Sequence, residues 1–346
     1  MSERIDLKDL SKEELRNALA AIGQPPYRAI QVFTWMYREG TASFEHMENL
    51  PRGLREALSK RYRISSLKLL DTKRSRLDGT IKYLLKLEDG HAIETVSLPE
   101  RGRATTCVSS QVGCKRSCSF CASSVLGFER NLTTAEILNE VLFVRHDTKS
   151  PVTHVVFMGI GEPFDNYRNV MKAVRILNDS DGMNIGARRI TVSTCGIVPG
   201  IEALSREGLQ VELSVSLHAA EDVLRTRLVP VNKRYPIGDL MAACREYTRR
   251  TNRIITFEYV LMKGVNCADR DAGKLASLLR GMKCKVNLIA CNQIRALGYE
   301  APSREEAKTF LERLLAHGVR STLRRSRGED IDAGCGQLRV ARCERE

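Results

Sequence analysis

From about Arg103 onward, short apolar runs alternate with amphipathic stretches, and this alternation limits the available folds more than any other feature of the chain. Strands are expected near 104–110, 153–158, 189–194, 211–217, 255–262, 285–291 and 320–325, with helices between them. Thr133-Thr-Ala-Glu136 and Ser303-Arg-Glu-Glu306 each set a hydroxyl three residues ahead of a carboxylate, just before an apolar periodic stretch. That pattern satisfies the first amides of a helix reciprocally. Strands alternating with helices imply a parallel sheet, either open or curled into a full or partial (β/α) barrel.

The first 65 residues read differently. Ser11-Lys-Glu-Glu14 has the same capping spacing, and Leu15, Leu19 and Ile22 continue an apolar face. Further helices are expected over about 27–37 and 54–62. Asp78-Gly79 and Asp89-Gly90 flank the alternating run Ile81-Lys-Tyr-Leu-Leu-Lys-Leu, a hairpin signal. A small set of strands therefore joins a helical module to the repeating α/β part. The expected division is a module over 1–95 and a core over 96–346.

Unusual residues gather where the expected strands end. Cys114–Cys121 follows the first strand and Gly159-Ile-Gly-Glu-Pro163 the second. Ser193-Thr-Cys-Gly196 ends the third, and Ser216-Leu-His218 the fourth. Asn292 follows the sixth and Asp330-Ile-Asp-Ala-Gly-Cys335 the seventh. In a (β/α) barrel these strand ends form one face, so the pattern points to a single shared site.

Gly113-Cys-Lys-Arg-Ser-Cys-Ser-Phe-Cys121 has C-x3-C-x2-C spacing. Three thiolates on one loop suit three irons of a 4Fe–4S cube, leaving the fourth iron open. S-adenosylmethionine (SAM) can chelate that iron through its amino and carboxylate groups, and an electron from the cluster then yields a 5′-deoxyadenosyl radical. A zinc knot is the bland alternative, but no second pair of cysteines with zinc-ligand spacing exists. Gly161 lets backbone approach a ligand and Glu162 can accept from the SAM amino group. Ser193, Ser216, Leu217, His218 and Asn292 are candidates for its ribose, carboxylate and adenine.

Charge and cysteine usage narrow the partners. Fifty-five Lys and Arg against 42 Asp and Glu give a formal charge of +13, suited to a phosphate-rich partner. No apolar run approaches the ~20 residues a membrane span needs, and the charged N-terminus lacks the pattern of a signal peptide. A cytoplasmic monomer is expected. Eleven cysteines in such a protein do not announce a disulfide framework, and none precedes Cys107.

Several segments together resemble one family, the radical-SAM adenosine methyltransferases of the RlmN/Cfr group. They are Tyr27-Arg-Ala-Ile-Gln-Val-Phe-Thr-Trp35, Ile93-Glu-Thr-Val96, Thr106-Cys-Val-Ser-Ser-Gln-Val-Gly-Cys114, Met158-Gly-Ile-Gly-Glu-Pro163, Ser214-Val-Ser-Leu-His218, Val229-Pro-Val-Asn-Lys233 and Asp330-Ile-Asp-Ala-Gly-Cys-Gly-Gln-Leu338. The resemblance spans nearly the whole chain. It implies a partial (β/α) barrel, one 4Fe–4S cluster held by Cys114, Cys118 and Cys121, and two SAM molecules per turnover. It also implies 23S ribosomal RNA as substrate, transfer RNA as a possible second one, and a flavodoxin or ferredoxin as electron donor.

The resemblance assigns roles as well. Cys335 takes a methyl group from one SAM; the radical from a second removes hydrogen from that group, and the methylene adds to an adenine carbon. Cys107 resolves the resulting protein–RNA adduct, leaving a disulfide with Cys335, and Glu94 accepts a proton. Pro163 and the helical module match enzymes that modify carbon 2; the other branch modifies carbon 8 and confers antibiotic resistance. The Ala290-Cys-Asn-Gln-Ile-Arg295 segment departs from the family's usual Trp-Asn-Pro context. Transfer-RNA methylthiotransferases carry a second cluster on N-terminal cysteines, which this chain lacks. A zinc-dependent RNA-binding protein is the non-catalytic rival. No role is assigned to Cys195, Cys244, Cys267, Cys284, Cys291 or Cys343, and the arginines at 320, 324, 325 and 327 are candidate phosphate contacts.

Overall fold

The computed structural model describes residues 4–124, 127–291, 298–324 and 327–331. Its N-terminal part contains helices α1 (Lys12–Ala20), α2 (Pro26–Thr34) and α3 (Arg52–Arg61), with short parallel strands β1 (Ile5–Asp6) and β2 (Tyr62–Arg63). The Ser11–Glu14 capping box forms as its spacing predicts. Pro26 starts α2, where its missing N–H costs nothing; one π-helical turn, Trp35–Glu39, continues that helix.

Strands β3 (Lys68–Arg74), β4 (Ile81–Lys86), β5 (Ala92–Glu100) and β6 (Arg103–Cys107) pair antiparallel in sequence order. A separate hairpin of β7 (Gln111–Gly113) and β8 (Phe128–Asn131) precedes α4 (Thr134–Thr148). The alternation then follows: β9 (His154–Phe157), α5 (Tyr167–Asn178), β10 (Ile190–Thr194), α6 (Val198–Leu204), β11 (Glu212–Ser216), α7 (Asp222–Leu228), α8 (Ile237–Thr251), β12 (Ile255–Leu261), α9 (Asp269–Leu279), β13 (Cys284–Ala290), α10 (Arg304–Ala316) and β14 (Ser321–Arg324).

One ten-stranded sheet runs in the order β14-β13-β12-β11-β10-β9-β6-β5-β4-β3. Its seven strands from β6 through β14 are mutually parallel, each beside the next in sequence, so the anticipated crossovers are all made. β3 and β14 are its two edges and do not pair, which makes the barrel partial.

Burial explains the elements. Along β10, Ile190, Val192 and Thr194 are buried, while Thr191 and Ser193 are half-buried on the other face. The first set packs beneath the helices; the second faces the lumen, where Thr191 lines a cavity of about 1040 Å³. β4 is buried on both faces from Ile81 to Leu85, although its sequence alternates. The N-terminal helices dock on the core through polar contacts: Lys8 Nζ donates to Asn139 Oδ1 at 2.7 Å, and Lys172 pairs with Glu14. No described helix is long and apolar enough to cross a membrane.

Candidate active site at the strand ends

The cluster loop is tied on four sides. Cys114 N donates to Gly127 O at 2.8 Å, anchoring the loop in the β7–β8 hairpin. Gly113, at φ +75°, permits this crossing: a Cβ there would lie 1.9 Å from Gly127 O. Arg116 forms a two-bond ion pair with Asp165, beyond the second strand end. Ser119 N donates to Leu228 O at 3.0 Å, and its hydroxyl lies 2.8 Å from the Tyr299 hydroxyl. Ser124 Oγ bonds the carbonyls of Cys118 and Cys121.

Cys114, Cys118 and Cys121 are each half-buried. The Cys114 thiol is pushed up to about 12, chiefly by burial and also by the nearby Cys121, Glu162 and Asp165, against a lowering hydrogen bond from the Arg116 backbone. Cys118 is raised likewise, by burial and then by Cys121 and Cys114. Bare thiolates would repel one another here, and a cationic iron core supplies the missing charge. Among the described residues, no three Cys, His, Asp or Glu side chains are gathered as one metal ion would need. Three thiols on one short loop are the donors that three irons of a cubane take, so the donor set fits a cluster.

The second strand end is built around Glu162, which is 3% exposed. Its Oε1 accepts from Phe164 N at 3.0 Å and its Oε2 from Cys195 N at 2.7 Å, joining the ends of β9 and β10. Burial raises its pKa, and these amide bonds oppose the rise. The side chains of Cys195 and Thr194 also hydrogen-bond this carboxylate. Gly161 has φ +104°, and a Cβ there would meet Gln111 Cβ at 2.6 Å. Gln111 Oε1 in turn accepts from Glu162 N.

Ser193 and Ser216 are half-buried at the ends of adjacent strands. Leu217 is a core residue: its side chain is fully buried, its N–H donates to Glu258 O, and its carbonyl accepts from Ala219 N. His218 adopts φ +58°, and its Nδ1 accepts from Val260 N at 3.1 Å, which leaves the ring proton on Nε2. Burial holds the ring neutral, its pKa down to about 3. The ring meets Phe120 of the cluster loop edge-on at 4.7 Å. Asn292 and Cys335 lie outside the described residues.

Two buried networks went unseen in the sequence. Arg225 is fully buried and donates through Nη2 to Cys195 O and Ser216 O, at 2.7 and 3.2 Å. Its Nη1 donates to Asn232 Oδ1 at 2.8 Å, and Asn232 is held by Asp222 and Thr226. One guanidinium thus sets the ends of β10 and β11. The only hint was Asn232 within Val229-Pro-Val-Asn-Lys233. The second network is Lys82–Glu94, at 3.0 Å and with side chains 0% and 3% exposed. Val96 and Cys107 are cross-strand partners, and Glu94 lies two residues along β5 from Val96, so Glu94 and Cys107 share one face of the sheet.

Residues 327–331 are held by the β3–β4 turn. Asp78 accepts from Gly328 N at 3.0 Å; Asp330 accepts from the Ser75 hydroxyl at 2.7 Å and from Arg76 N at 2.9 Å. Arg327 pairs with Glu100 at 3.0 Å.

A partial parallel barrel with three thiols on its first strand-end loop, beside a glycine-lined second strand end, defines a radical-SAM enzyme. Comparison with known proteins agrees. The Radical SAM superfamily matches residues 108–276, and the ribosomal RNA large subunit methyltransferase N-terminal domain matches residues 5–64. A Thermotoga maritima protein named dual-specificity RNA methyltransferase RlmN is 47% identical over 337 residues, covering 97% of this chain and 98% of its own. A Thermoanaerobacter relative of the same name is 44% identical, covering 96% and 97%. The crystal structure of a radical SAM methyltransferase from Sphaerobacter thermophilus superposes with a TM-score of 0.91 at 48% identity, covering 96% of this chain and 98% of that one. The chain belongs to the RlmN family of radical-SAM RNA methyltransferases. It is accordingly an enzyme that works with a 4Fe–4S cluster and SAM.

Proposed function

We propose that this enzyme methylates carbon 2 of an adenosine in the peptidyl-transferase centre of 23S ribosomal RNA, and an adenosine of transfer RNA as well. The observation that carries the reading is the shared face of Cys107 and Glu94, with Lys82 paired to the carboxylate. A proton must leave the adenine carbon as the adduct resolves. A carboxylate charge-paired out of water, one strand from a thiol, suits that step.

Cys114, Cys118 and Cys121 hold the cluster, which when bound supplies the electron that cleaves SAM. Gly161, Glu162, Ser193, Ser216, His218 and Asn292 bind SAM, with the Leu217 backbone shaping the turn between Ser216 and His218. The Nε2–H of His218 is available as a donor. Cys335 carries the methyl group, Glu94 takes the proton, and Cys107 resolves the adduct by forming a disulfide with Cys335. Residues 1–95 serve as the RNA-binding module and 96–346 as the catalytic core. The enzyme acts in the cytoplasm as a monomer and draws electrons from a flavodoxin or ferredoxin.

The deciding experiment is mass spectrometry of ribosomal and transfer RNA from cells with and without this protein. A methyl group on adenine carbon 2 that vanishes with the protein is expected. One on carbon 8 would assign the enzyme to the resistance branch.

A further inference from the structure

One face of α9 carries cations at the spacing of successive helical turns. Arg270 and Lys274 are four residues apart, and both are exposed. Arg280 and Lys283 extend the line past the helix end, and His317 and Arg320 flank it from the turn before β14. All six line one groove of about 1060 Å³, where Glu221 is the sole acidic residue among the described residues.

Most of this charge is uncompensated. Lys274 pairs with Glu221 at 2.6 Å, and Lys283 is held by Asn252. Arg270, Arg280 and Arg320 have no acidic partner among the described residues. The groove's lining includes Ala220 and Glu221, two and three residues past His218 and beyond the end of β11. The eleven residues of α9 span about 16 Å. One strand of a duplex carries a phosphate every ~3.4 Å of axis, so a strand along α9 passes about five of them.

We propose that this groove is an RNA-docking surface, gripping phosphodiester backbone that runs away from the active site along α9. The inference rests on the RNA-methyltransferase reading above. Arginines dominate its unpaired charge, and their planar fork suits phosphate oxygens. Its lining takes in Arg270, Lys274, Ser277 and Arg280, so it follows α9 along its length, as a docked strand requires.

The test uses the full-length enzyme with its cluster and two probes: a transcript of the peptidyl-transferase region of 23S rRNA, and transfer RNA transcribed in vitro. Binding is measured across a salt series for wild type and for R270A/R280A/R320A. A control, R168A/R206A, removes exposed charge elsewhere. With ~0.7–0.9 in slope per phosphate contact, the triple variant should flatten the log–log salt dependence by about 2. Affinity at low salt should fall at least tenfold, and an all-lysine version should restore much of the slope. Equal slope and affinity in the triple variant would overturn the proposal, as would an equal per-charge loss in the control. Unchanged RNA binding with slower reduction by a flavodoxin would instead make this a docking site for an acidic protein. Wild type that methylates neither probe would fail the underlying functional reading and leave the groove's binding result to stand separately.

Discussion

Lys82 Nζ lies 3.0 Å from Glu94 Oε2 on neighbouring strands, and both side chains are sealed from solvent. Such a pair gains little over an apolar core when intact, but breaking it leaves a buried charge alone. Lys82→Met should therefore cost about 3–5 kcal/mol in denaturant unfolding. Lys82→Met with Glu94→Gln removes both charges and should recover most of that loss, yet form little methylated RNA. If the double variant were as active as wild type, Glu94 would not be the proton acceptor.

Cys107→Ala should still load its cluster, still carry S-methylcysteine at 335, and still attack RNA. It should then stall with RNA covalently attached. Cys335→Ala should give neither adduct nor product. Denaturing gels with labelled RNA separate the two outcomes; normal turnover by Cys107→Ala would exclude that thiol from resolution.

Protein isolated without oxygen should be brown and contain about four irons per chain, by the stoichiometry of one cubane cluster. Ala at position 114, 118 or 121 should abolish both iron loading and activity. Zinc in place of iron and sulfide would favour the binding-protein alternative.

The contact between Asp78 and residues 327–331 should depend on pH. Partial burial alone would raise the Asp78 carboxyl, but hydrogen bonds from Thr80, Gly328 and Ser75 outweigh it and hold the pKa at about 2, below the ordinary 3.8. A depressed carboxyl stabilises the fold above its unfolded pKa and loses that contribution as pH falls through its folded one. Protection of the Gly328 amide in hydrogen exchange should therefore persist at pH 5 and decline as pH drops from about 4 toward 2. Asp78→Asn should weaken protection at pH 5 and flatten its pH profile. Unaltered protection in that variant would show that the carboxylate does not hold the segment.

The strands and the residues at their ends were legible because local signals carry them. Ser11–Glu14, Thr133–Glu136 and Ser303–Glu306 each form the reciprocal cap their spacing anticipates. Seven strands appear where apolar runs lie, with Cys114, Glu162, Ser193, Ser216 and His218 beyond or at their ends. Long-range partners were not legible. Lys82 sits in an alternating run that reads as half-solvated, and only the neighbouring strands and helices show that both faces are covered. Arg225 resembles any basic helix residue until the carbonyls of Cys195 and Ser216 are seen converging on it. The β7–β8 hairpin is too short to declare itself: three residues pair with four across a bulge. Cys335 was singled out by resemblance alone.

The bonds from Asp78 to Gly328 and from Ser75 to Asp330 span 250 and 255 residues of sequence. They also bridge the two unpaired margins of the sheet, since the β3–β4 turn belongs to one and the segment after β14 to the other. Contacts of such separation are costly to close and are favoured only once the intervening structure stands. Their place is late in assembly, because residues 327–331 leave the ribosome after the ten described strands of the sheet. A translation product halted before residue 327 would retain its thiol loop and all ten strands of the sheet, and would lack this closure. The arrangement therefore sets the joining of the two sheet margins after the emergence of Asp330.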